Sequence, residues 1–92
     1  MIASFRNKSL FDLWQRGDTS KIDGRMHARI LRRLDALNAT ITPEGMNIPG
    51  NNLHALRGFS PTRYTVHVNG PWCITFSFGD GDAREVDFEQ YH

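Results

Sequence analysis

Cys73 is the single cysteine among 92 residues. No disulfide can therefore close within the chain, which suits a reducing cytosol. No apolar run approaches the roughly 18 residues that a bilayer span needs. The opening Met1-Ile2-Ala3-Ser4-Phe5-Arg6 lacks the apolar core of a signal peptide. A cytoplasmic protein without membrane partners is expected. The four histidines, His27, His54, His67 and His92, show no paired-ligand spacing such as Cys-x-x-Cys or His-x-x-x-His, so neither metal nor cofactor is expected. Asp80-Gly81-Asp82 is a fragment of a calcium loop that lacks the remaining ligands, and it reads as a hairpin turn. Cys73 has no general base near it in sequence, which argues against a thiol nucleophile. Repeats, low-complexity tracts and linkers are absent, and residues 1–92 are expected to form one domain.

What the chain does have is a globular composition, 39% hydrophobic with six Phe, two Trp and two Tyr. A net charge of +1 conceals an asymmetry. Residues 1–33 hold eight Lys/Arg against three Asp, or +5, and the remaining residues hold three basic groups against seven acidic ones, or −4. A basic first half attracts either a polyanion or an acidic protein partner.

Hydrophobic spacing sets out the elements. Ile2–Phe5 is expected as a short strand. Leu10, Leu13 and Trp14 recur at helical spacing in a helix over 9–16 that Gly17 stops. Asp23 is placed to cap a second helix, along which Ile22, Met26, Ile30, Leu34 and Leu37 form an apolar stripe and Arg25, Arg29 and Arg32 share another face. Residues 38–52 hold Thr42-Pro43 and Pro49-Gly50 and should be a loop with at most a helical turn.

From Leu53 the period changes to two. Tyr64, Val66 and Val68 alternate with Arg63, Thr65 and His67, and Trp72, Ile74, Phe76 and Phe78 with Cys73, Thr75 and Ser77. Asn69-Gly70-Pro71 and Gly79-Asp80-Gly81-Asp82 are the turns of an antiparallel meander with one greasy and one polar face. The two helices need the greasy face as partner, which gives an α+β fold whose polar sheet face is left open.

Titratable groups can gather on that open face. His54, Arg57, His67 and the terminal Tyr91-His92 can all reach it, with His67 sharing a parity with Arg63 and Thr65. Ending on a phenol and an imidazole is read as functional, since frayed ends are usually small and polar. These groups suit RNA cleavage by the ribose 2′-hydroxyl. That reaction needs a base for the hydroxyl proton, a cation near the phosphate and an acid for the leaving 5′ oxygen. A free imidazole titrates near pH 6.5, close to working pH. Arg57 could hold phosphate oxygens in bidentate fashion.

Several ordered segments carry a wider likeness. They are Ile2-x-Ser4-Phe5 with Lys8 and Gly17, Pro49-Gly50-Asn51-Asn52-Leu53-His54-x-Leu56-x-Gly58, Val66-x-Val68-Asn69-Gly70-x-Trp72-x-Ile74-Thr75-Phe76, and Val86-Asp87-x-x-x-Tyr91-His92. Together they resemble the HigB (plasmid-maintenance killer) toxins of the RelE/ParE superfamily over essentially the whole chain. The resemblance implies a RelE/ParE-like fold and a ribosome-dependent, metal-independent mRNA endonuclease. It also implies a helix-turn-helix (HigA-like) antitoxin, with operator DNA reached only through that antitoxin. It implies catalytic roles for His54, Tyr91 and His92, and RNA contacts from Arg57, Arg63, His67, Cys73 and Gln90. Arg25, Arg29 and Arg32 are expected to face the antitoxin.

Two departures from the pattern matter. Cys73 stands where the family usually has arginine, and Gln90 where an acid often precedes Tyr-His. A thiol cannot stabilise a phosphorane-like transition state as guanidinium does. Loss of one such contact costs on the order of 10²–10³ in rate. Reduced activity is implied, and the alternative role is a weakly catalytic module that binds its antitoxin and co-represses the operon.

Overall fold

Asn7 opens the first helix through its side chain, which accepts a hydrogen bond from the Leu10 amide at 3.0 Å. The helix, α1 (Lys8–Arg16), ends at Gly17, whose φ of +67° is left-handed and would cost an L side chain about 1–2 kcal/mol. The computed structural model describes residues 1–91. Asp23 is a cap as its position predicts, accepting from the Arg25 amide. It opens a tight 3-10 turn, Gly24–Met26, that runs directly into α2 (His27–Ala39). Met26, Ile30, Leu34 and Leu37 are buried along one stripe, with Ile22 half-buried beside them. The following loop holds one short helical turn, Pro43–Met46, whose Met46 is buried in the core.

Four strands then form an antiparallel meander in chain order: β1 (His54–Leu56), β2 (Arg63–Asn69), β3 (Trp72–Gly79) and β4 (Asp82–Gln90). Val66, Val68, Ile74, Phe76, Val86 and Phe88 meet the helices on one face, giving the α+β architecture that the two periodicities imply. Phe76 is fully buried and lies 5.8 Å from the Tyr64 ring, while Trp72 stacks on Phe88 at 4.6 Å.

Ile2–Phe5 does not form the expected strand. It makes two isolated parallel bridges, Ile2 to Ala83 and Phe5 to Val86. The ladder between them is interrupted because β4 bulges there. Phe76 is opposed by the pair Glu85-Val86, and Glu85 has φ +50°. The Glu85 amide turns instead to the Ser4 hydroxyl at 2.8 Å. This extra residue resets the alternation of β4, so that Ala83, Val86 and Phe88 are all buried.

The opposite face is not left as open as its polarity suggests. Arg63, Thr65, Thr75, Ser77 and Cys73 are each at most 9% exposed. No helix is needed to shield them, because long side chains on the same face lie over shorter ones. Cross-strand registers place these groups in rows: Leu56, Arg63, Ser77 and Arg84; His54, Thr65, Thr75 and Asp87; His67, Cys73 and Glu89.

One buried acid went unnoticed in the sequence. Asp12 on α1 is 3% exposed and lies within 4 Å of three cations, Lys21 Nζ at 2.7 Å, Lys8 Nζ at 3.6 Å and Arg16 Nε at 3.8 Å. The hydrogen bond from Lys21 holds its carboxyl below the usual carboxylate range, and the charges of Lys8 and Arg16 act the same way. A carboxyl depressed by folding stabilises the fold above its unfolded pKa and loses that contribution as pH falls through the folded value. The thermal midpoint should therefore hold steady above the carboxylate range and drop as pH falls below 3.8, the unfolded value. Asp12→Asn should lower the plateau and flatten that drop. Midpoints recorded by circular dichroism across acidic pH check this, and an unchanged slope in Asp12→Asn would assign the acid sensitivity to other carboxyls.

Candidate active site

His54 owes its place to a strained turn. Asn52, two residues earlier, has φ +51°, a conformation that asparagine tolerates better than most. The Asn52 carbonyl lies 3.0 Å from His54 Nδ1. Accepting from a protonated Nδ1, it leaves Nε2 with its lone pair, the form a general base needs. His67, on the polar side of β2, is fixed the other way, through Nε2 to the Gly70 carbonyl at 3.0 Å.

His54, His67, Cys73 and Tyr91 line one cavity of about 350 Å³ on the polar face, and Thr65 forms part of its wall. The geometry thus brings together four of the residues singled out from the sequence. Arg57 is not among the residues lining this cavity. It sits on the exposed turn after β1, clear of the strand parity that orders the others. Gln90 pairs with Trp72 and is exposed, so it too stays out of the cavity wall. His92 lies outside the described residues.

Arg63 is placed differently from an RNA-contacting arginine. It is 5% exposed, and its guanidinium donates to the Glu85 carbonyl at 2.8 Å and to Thr75 Oγ1 at 3.0 Å. The first bond caps the carbonyl left over by the bulge. Thr75 in turn donates to Glu89 Oε2 at 2.5 Å. Glu89 opposes Cys73 in register and, with Asp87, brings a carboxylate to this face, and neither carried a signal of this in the sequence. Burial first, and then the Glu89 charge, raises the Tyr91 phenol above its ordinary pKa. Asp87 and Cys73 act in the same direction and Arg63 against it. Among the described residues, no Lys or Arg lines the cavity.

The arginines of α2 and of the turn before it divide. Arg25 is exposed and pairs with Asp23 at 2.6 Å, which holds that carboxyl at about 2. Arg32 is exposed. Arg29 donates to the Val68 carbonyl at 3.4 Å and to Asn69 Oδ1 at 3.1 Å, and Arg33 Nε donates to the His67 carbonyl at 2.6 Å. Two arginines of this helix therefore grip the β2 backbone directly behind a cavity residue. Arg33 carried no signal in the sequence beyond its charge.

The model of the HigB-like toxin family, RelE-like toxins of type II toxin-antitoxin systems, matches residues 3–92. The chain belongs to this family. Endoribonuclease HigB of Proteus vulgaris is 35% identical to this HigB-like toxin over 92 residues, covering the whole of both chains. An uncharacterised protein of Haemophilus influenzae is 27% identical over 84 residues, covering 89% of this chain and 83% of its own. Membership of a type II toxin family entails an antitoxin partner. No helix among the described residues is long and apolar enough to cross a membrane.

Proposed function

We propose that this HigB-like toxin is a ribosome-dependent, metal-independent mRNA endonuclease of the cytoplasm. The cavity that joins His54 to His67 and Tyr91 on the polar face carries this reading. The whole-length similarity to a protein named Endoribonuclease HigB supports it. In the proposed reaction His54 Nε2 takes the proton of the ribose 2′-hydroxyl. The 2′ oxygen attacks phosphorus, and the bond to the 5′ oxygen breaks. Protonation of that leaving oxygen is assigned to His92, and orientation of the phosphate to the Tyr91 hydroxyl. A shallow cavity on a small domain cannot enclose a message by itself, so the ribosome is proposed to present the substrate. Its antitoxin is proposed to be of the helix-turn-helix (HigA-like) kind, approached through Arg25 on the 3-10 turn and Arg32 on α2, and to carry the pair to operator DNA.

One observation favours a second reading. The cavity lining lacks a cation among the described residues, so the chain could act chiefly as a weakly catalytic antitoxin ligand and co-repressor. Cys73→Arg separates the two. If the missing guanidinium limits the reaction, this change should raise cleavage on the order of 10²-fold. Growth after induction and mapping of message ends in ribosome preparations read the effect. Equal toxicity of the two forms would show that a cation at position 73 is dispensable.

A further inference from the structure

Thr65 is anomalous among the polar groups of the site. It is 1% exposed, and its Oγ1 is buried without a hydrogen-bond partner. Four polar side chains around it are engaged. His54 bonds to Asn52, His67 to Gly70, Thr75 to both Arg63 and Glu89, and Ser77 Oγ donates to the Arg84 carbonyl. A buried hydroxyl left unpaired costs about 1–3 kcal/mol, and folded proteins avoid it. Thr65 is also the residue directly opposite His54 in the β1–β2 register, and it forms part of the cavity wall.

We infer that Thr65 is a binding residue reserved for the ribose of the substrate, its hydroxyl pairing with the 2′-hydroxyl that His54 deprotonates. The 2′-hydroxyl both donates and accepts, and so does threonine, so the pair is matched whichever way the proton points. Rotation about χ1 exchanges the hydroxyl and the methyl of threonine, so a nucleotide can meet the hydroxyl without backbone movement. The position across from His54 puts one residue on each side of the reacting group. Discrimination of RNA from DNA then begins at this contact. The inference rests on the nucleolytic reading for its consequence in catalysis, but the ribose contact itself can be measured without cleavage.

The test titrates the full chain with adenosine 3′-monophosphate and with its 2′-deoxy counterpart, following amide shifts by NMR. The parent should bind the ribonucleotide roughly tenfold more tightly, the worth of one good hydrogen bond to a buried group. Thr65→Val keeps the shape and should abolish the preference, whereas Thr65→Ser should retain it. The thermal midpoint of Thr65→Val should equal or exceed that of the parent, because no intramolecular bond is lost. In parallel, message cleavage on programmed ribosomes is compared between the parent and Thr65→Val. Preference for the ribonucleotide with no cleavage by the parent leaves the ribose contact standing and removes the nuclease reading. Cleavage by the parent that Thr65→Val matches, with equal preference in both, overturns the ribose contact and leaves the nuclease reading. Absence of any preference in the parent also overturns the contact.

Discussion

Phe76→Ala is expected to lower the unfolding free energy by about 3–5 kcal/mol. The ring is fully buried at the middle of β3, against Tyr64 at 5.8 Å and Phe78 at 6.1 Å, inside the cluster that joins sheet to helices. Truncation forfeits the transfer of the ring from water and leaves a cavity that a sheet centre cannot collapse to fill. A domain of this size has a total stability of about 5–14 kcal/mol, so the change removes a large share. The midpoint should fall by at least about 12 °C, at roughly 4 °C for each kcal/mol. Phe59, which is 49% exposed, provides the contrast, and Phe59→Ala should stay within about 0.5 kcal/mol of the parent. Urea unfolding of the three proteins measures both. A loss at Phe76 no larger than that at Phe59 would mean that the sheet does not pack as described.

His54→Ala should reduce message cleavage by about 10²–10⁴-fold, the usual range for removal of a positioned general base. Each imidazole donates through one nitrogen and keeps a lone pair on the other, Nε2 in His54 and Nδ1 in His67. Both rings line the cavity, so the contrast between them tests which one is the base. With the base assigned to His54, His67→Ala should cost about tenfold or less, as a lost contact. Single-turnover cleavage on programmed ribosomes, with folding checked by thermal midpoint, measures the two. If His67→Ala proves the more damaging, the base assignment belongs to β2. If neither change matters, the polar face is not where the reaction occurs.

Much of this arrangement was legible in the sequence because it depends on period alone. Met26, Ile30, Leu34 and Leu37 fall on one helical face, and the alternation through β2 and β3 puts His67 opposite Cys73 and away from the core. Tyr91 and His54 were placed in the same cavity by that logic and by the family likeness. What escaped depends on single residues that break a period. The bulge at Glu85 has no signature beyond an acid where alternation predicts an inward side chain. Arg63 reads as a surface cation until the bulge supplies a carbonyl for it to cap. Glu89 carries no local signal, because its place opposite Cys73 depends on the bulge, while Gln90 pairs with Trp72 and stays out of the cavity lining. The burial of Asp12 arises from Lys21, which the fold brings alongside from beyond the end of α1. Pairings of that kind are tertiary and leave no local trace.

The bulge at Glu85 also says where the gene can tolerate a change in length. Under strict alternation from Ala83, the core would receive Glu85, Asp87 and Glu89, and solvent would receive Val86 and Phe88. The one surplus residue reverses this and sends Asp87 and Glu89 to the cavity side. Codon loss at Glu85 would restore a regular ladder and keep both halves of the strand correctly faced, at the expense of the carbonyl that Arg63 caps. Codon gain or loss at Asp87 or Phe88 would instead turn the residues on one side of it to the wrong face. Point substitutions along β4 alter this toxin one contact at a time, whereas an indel just past the bulge misplaces several side chains in a single step.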